Sequence, residues 1–117
     1  MKENIIQHKS YAFALRIIKM YKYLSQDKKE FILSKQVLRS GTAIGALVKE
    51  AEHAQSKADF INKMNIALKE ASETTYWLSL LKDSAYIDEN MYQSIFFEAE
   101  EIVKILASIV KTSKQNK

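Results

Sequence analysis

Apolar residues recur every third or fourth position in four separate runs of this chain, and no run keeps the strict alternation of a half-buried strand. Four amphipathic helices are the expected elements. The first is predicted from Ser10 to Leu24, where Phe13, Ile17, Met20, Tyr21 and Leu24 fall on one side at about 100° per residue. Ser25-Gln26-Asp27-Lys28 interrupts it. The second is predicted from Lys29 to Ala54, with Phe31, Leu38, Ile44, Leu47, Val48 and Ala51 as its apolar positions, and Gln55-Ser56 closes it. Ser56 with Asp59 behind it reads as an N-cap with an acidic first turn, opening a third helix that reaches Lys82. Its stripe is Phe60, Met64, Ala67, Ala71, Thr74, Leu78 and Leu81. After a connection from Asp83 to Ile87, Asp88 is placed to cap a fourth helix carrying Met91, Ile95, Ala99, Ile102, Leu106 and Val110. The tail from Thr112 to Lys117 is expected to fray.

Connections this short force consecutive helices antiparallel, so the expected fold is an all-α, up-down-up-down four-helix bundle. No repeat, low-complexity tract or linker divides residues 1–117, which read as one domain. Composition agrees: the 117 residues include no proline and only two glycines, so helix breakers are nearly absent. The absence of cysteine removes disulfides, thiolate metal sites and thiol nucleophiles, and it suits a reducing cytoplasm. Met1-Lys2-Glu3-Asn4 leads into no apolar signal core, and no uncharged apolar run approaches the about 18 residues of a membrane span. The expected location is cytoplasmic, with no membrane contact. Charge is uneven. Residues 1–58 hold 11 Lys/Arg against 5 Asp/Glu, whereas residues 59–117 hold 7 against 9. The split suits an anionic partner or attraction between neighbouring subunits.

Both glycines, Gly41 and Gly45, lie one turn apart inside the second helix, where each costs about 1 kcal/mol relative to alanine. A close crossing of backbones, or approach by a bulky side chain such as Trp77, is the expected compensation. A phosphate-cradling loop would need a preceding strand and a Lys-Ser/Thr ending, and both are missing. If the second and third helices turn back near Gln55, Arg39 comes within reach of Glu70 or Glu73, and a partly buried ion pair holding the bundle together is expected. Glu50-x-x-His53 has the spacing of a di-iron bundle ligand pair, but the only other histidine, His8, has no such partner, so no metal site or cofactor is expected. No Ser/His/Asp set or activated carboxylate pair supports catalysis. On the first helix, Lys9, Arg16, Lys19 and Lys22 share an arc with Tyr11, Leu15 and Tyr23. Cations interleaved with rings suit phosphates and bases, and the same residues suit a subunit interface.

Three stretches taken together carry a resemblance. They are Leu38-Arg39-Ser40-Gly41-Thr42-x-Ile44-Gly45-Ala46 with Glu50-Ala51; Ser56-Lys57-x-Asp59-Phe60; and Ala67-Leu68-Lys69-Glu70-Ala71-x-Glu73-Thr74-x-Tyr76-Trp77-Leu78. Their order and spacing resemble the four-helix-bundle family of 23S rRNA-intervening-sequence proteins, over most of the chain from about Tyr11 into the fourth helix. The resemblance implies a short antiparallel bundle that associates as a homo-oligomer, a homopentamer, in bacteria. The related accessory variability determinant proteins of diversity-generating retroelements have basic surfaces and associate with a reverse transcriptase and RNA. By that analogy the expected function is a non-enzymatic, oligomeric accessory protein binding RNA or DNA, with Lys9, Arg16, Lys19 and Lys22 on phosphate; the alternative is a protein-binding oligomeric scaffold without nucleic acid.

Overall fold

The structure is a computed structural model that describes residues 2–116, with side chains from Ile5 onward. Four helices follow one another: α1 over Lys2–Gln26, α2 over Leu33–Glu52, α3 over Lys57–Asp83 and α4 over Glu89–Gln115. Each packs against its sequence neighbour and α4 closes the ring against α1, giving a four-cornered bundle of 48 × 21 × 20 Å. Its interior is filled by the predicted stripes, including Phe13, Ile17, Ile44, Val48, Met64, Leu78, Ile95 and Leu106, all at most 2% exposed.

Caps behave as the polar punctuation suggests. The Ser56 hydroxyl accepts from the Asp59 amide at 3.0 Å, and the Asp88 carboxylate accepts from the Met91 amide at 2.8 Å. Three boundaries differ from expectation. Helix α1 starts at Lys2 rather than Ser10, because Ile6 and Ser10 are buried and extend the stripe of Phe13 and Ile17 backwards. Helix α4 runs on to Gln115, past the expected fraying point at Thr112. Helix α2 begins at Leu33 rather than Lys29, because Lys29 turns left-handed at φ 57° and ends helical continuity. Phe31, expected in the core, is therefore in the loop and half exposed.

That α1–α2 loop is organised by Glu30. Its carboxylate accepts from the amides of Ile32, Leu33 and Ser34 at 2.7–3.1 Å, so one side chain satisfies donors that the first turn of α2 leaves without partners. Burial favours the neutral acid, but the amide donors outweigh it and hold the Glu30 carboxyl below the usual carboxylate range. The α3–α4 turn, at the same end of the bundle, also lacks glycine: Ala85 takes φ 67°, and the amide of Tyr86 returns to the Leu81 carbonyl at 2.9 Å. A non-glycine residue in this region costs about 1 kcal/mol, which the surrounding hydrogen bonds offset.

Candidate functional site

Antiparallel pairing of α1 and α2 brings the two glycines under α1. A side-chain carbon at Gly41 would lie 2.8 Å from Cγ1 and 2.9 Å from Cγ2 of Ile17, so only hydrogen fits there. At Gly45 the nearest atom is the Ser10 carbonyl oxygen, 3.5 Å from such a carbon, an ordinary contact. Both devices that the sequence suggests are thus in use, a bulky side chain at one glycine and a neighbouring backbone at the other. The bulky residue is Ile17, not Trp77. Trp77 lies on α3, where its indole donates to Glu73 at 3.0 Å and its ring meets Tyr76 edge-on. The two glycines also differ from the expectation that both are tight: only Gly41 is crowded.

Arg39 spans α2 to α3, donating to Glu70 at 3.1 Å and to Glu73. Trp77 chiefly, opposed by partial burial and assisted by Arg39, holds the Glu73 carboxyl below its ordinary value. Beneath this surface cluster the Ser40 and Thr74 hydroxyls meet at 2.8 Å, fully buried. The ion pair is more exposed than expected, with the Arg39 side chain 49% accessible, because it lies over the seam between the helices rather than within it. Its guanidinium is occupied, and the cluster joins helices rather than presenting a cation to a ligand.

The four cations of α1 fall into two groups. Lys9 pairs with Glu101 at 3.2 Å, and Arg16 pairs with Glu98 at 3.0 Å while also donating to Ser94. Both therefore join α1 to α4 instead of standing in one free basic strip, because the carboxylates of α4 lie directly opposite. Lys19 and Lys22 are exposed and have no carboxylate partner among the described residues. Around Lys22 on the outward side of α1, Tyr11, Leu15 and Ile18 form an apolar line at helical spacing, 68%, 53% and 37% exposed. Tyr11 also borders an open groove of about 410 Å³ between α1 and α2, floored by Ala14, Gly45 and Ala46 and edged by Lys49 and Glu52.

Glu50 and His53 do not converge on a metal: Glu50 pairs with Lys63 at 3.2 Å, and His53 caps the end of α2. Among the described residues no group of three or more His, Cys, Asp or Glu is arranged to hold a metal, and no helix is long and apolar enough to cross a membrane. Two features escape the pattern of residues. Glu30 is the first, although an acid placed before an apolar run is a cap signal that the predicted start at Lys29 obscures. The second is one end of the bundle, where Tyr23 of α1, Lys28 of the α1–α2 loop and Tyr86 of the α3–α4 loop gather although nothing in their sequence spacing relates them.

Comparison with known proteins places this bundle. The family model described as 23S rRNA-intervening sequence protein matches residues 2–108. A crystal structure from Bacteroides thetaiotaomicron VPI-5482, described as a protein with unknown function from the S23 ribosomal protein family, superposes with a TM-score of 0.93 at 58% identity. The match covers 95% of this chain and 99% of that one. No curated protein matches.

Proposed function

The chain belongs to the 23S rRNA-intervening sequence protein family, and from that membership we propose that it is a non-enzymatic, cytoplasmic accessory protein that self-associates, as a homopentamer, and binds RNA. In this reading the outer side of α1 has two roles: Tyr11, Leu15 and Ile18 meet a neighbouring subunit, while Lys19 and Lys22 remain for phosphate. The observation that carries it is the exposed apolar line on α1, continuous through Tyr11 with the groove against α2. Exposed tyrosine and aliphatic residues around a concavity are the composition of interface centres, and three of them at helical spacing on an otherwise polar face call for a partner. Self-association also raises avidity, since each copy adds its unpaired lysines to one assembly.

The test is sedimentation of the full chain with Leu15→Glu and Ile18→Glu together. A charge pair in an apolar contact should convert the assembly to monomer while the helical signal stays intact. A wild-type protein that is monomeric at all concentrations, or variants that assemble unchanged, would overturn it. A second reading, a scaffold binding only protein, is favoured by the neutralisation of Lys9 and Arg16 in ion pairs with α4. It predicts that filter binding with structured RNA shows no retention even at low salt. A reverse transcriptase is the class of protein partner that the accessory variability determinant analogy suggests, and co-purification with one would extend either reading.

A further inference from the structure

Helices α1 and α4 form the least closely packed of the four helix pairs, and along their junction two open concavities of about 400 and 370 Å³ meet at Tyr23. The first is lined by Arg16, Lys19, Met20 and Tyr23 with Met91 and Ile95 of α4. The second continues around the end of the bundle, past Lys28 and Lys82 to Tyr86 and Ile87. From Arg16 to the end of α1 at Gln26 this path spans about 15 Å of helix.

Charge along the path is unbalanced. Arg16, Lys19, Lys28 and Lys82 outnumber its three carboxylates by one: Glu98 holds Arg16, Glu89 lies 3.5 Å from Lys82, and Asp88, still anionic, accepts from the Met91 amide. Lys19 and Lys28 have no carboxylate partner among the described residues. The exposed Lys28 ammonium instead sits 5.9 Å over the Tyr23 ring, where a stacked base would lie, and its long side chain can rotate from the ring to a phosphate. The floor between the cations is apolar, made by Met20, Met91, Ile95 and Ile87.

We infer that this seam is a binding groove for a short stretch of single-stranded nucleic acid, with Lys19 and Lys28 meeting successive phosphates and Tyr23 stacking a base between them. The inference rests on the RNA-binding reading above and locates it. Cations alternating with a ring over an apolar floor match a single strand, whose bases are free to leave the backbone and stack. A duplex hides its base faces and offers only its phosphates, so the tyrosine and the apolar floor would be unused.

The experiment is fluorescence anisotropy of the full chain with a short labelled oligouridylate and with a duplex of equal length. Lys19→Glu with Lys28→Glu should weaken single-strand binding at least about tenfold and flatten its salt dependence. Tyr23→Ala should weaken it roughly tenfold while Tyr23→Phe, which keeps the ring, does not. Lys111→Glu with Lys114→Glu, the same charge change at the far end of α4, should leave affinity within about twofold. If Tyr23→Ala loses its helical melt, the surface lysine pair carries the test. Wild-type binding that survives the groove variants overturns the groove and leaves RNA binding standing. No oligonucleotide binding at low salt overturns both, and tighter binding of duplex than of single strand overturns the single-strand assignment.

Discussion

Against α2, helix α1 sets Ile17 over a glycine with no room for another carbon; against α4 it reaches across with Lys9 and Arg16 and leaves an open seam. At Gly41 the first contact is apolar and close, because the side chain is omitted there. The second is joined at its surface by ion pairs whose members are about 40% exposed, contacts that individually contribute little. The difference separates two kinds of contact on one helix. At Gly41 α1 is held by core packing; toward α4 it is held at the surface by ion pairs, beside open concavities.

Overfilling the tight side should have the largest effect. Gly41→Val puts a β-carbon and two methyl groups where Ile17 leaves no room even for the first, and is expected to destabilise by about 3 kcal/mol in urea melts. Combining it with Ile17→Ala should cost less than the sum of the two single changes, since the second removes the atoms that the first strikes. Additive costs would mean that Ile17 is not what fills the space.

Next comes Glu30, which closes the loop leading from α1 into α2. Glu30→Ala removes the acceptor of three amides and should cost about 2 kcal/mol near neutral pH. Because the Glu30 carboxyl is held below its ordinary value, its stabilisation is complete above the usual glutamate range of about 4.3 and is lost as pH falls through the lower folded value. Wild type should therefore lose more stability than Glu30→Ala when both are melted at neutral pH and again in that acid range. Equal losses would remove Glu30 from the acid response.

Smaller and opposite in sign is Gly45→Ala. Its new carbon meets the Ser10 carbonyl at ordinary contact distance, so helix propensity dominates and the melting temperature should rise, by about 0.5–1 kcal/mol of stability. A loss as large as that of Gly41→Val would show that the whole α1–α2 crossing is tight, not one turn of it. The smallest change belongs to the seam. Lys9→Ala with Arg16→Ala should shift stability by no more than about 1 kcal/mol, and by less still in high salt. A loss of several kcal/mol would make the α1–α4 ion pairs structural in the way that Ile17 is.

These regions also differ in how far they are legible from residues. The stripe through Phe13, Ile17 and Leu24 says that α1 is amphipathic, and the glycine pair says that something must come close to α2. Neither says that the close residue is Ile17, because that depends on the rotation of α1 about its own axis. Arg39 is different: its distance along the chain to the α2–α3 turn, followed back up α3, leads to Glu70 and Glu73, since a short turn sets the register of the two helices it joins. Lys9 and Arg16 read as free cations because their partners, Glu101 and Glu98, are separated from them by nearly the whole chain, and no turn joins α1 to α4.

The sequence by itself determined the four helices, the caps at Ser56 and Asp88, the antiparallel order and the α2–α3 register. All follow from periodicity and short connections, which act over neighbouring residues. Only the tertiary structure decided which cations are neutralised, that Gly41 is crowded while Gly45 is not, and that the concavities beside Lys19 and Lys28 meet at Tyr23. Those outcomes depend on how helices distant in sequence rotate against one another, and that rotation is set by packing of the whole core rather than by any local run of residues.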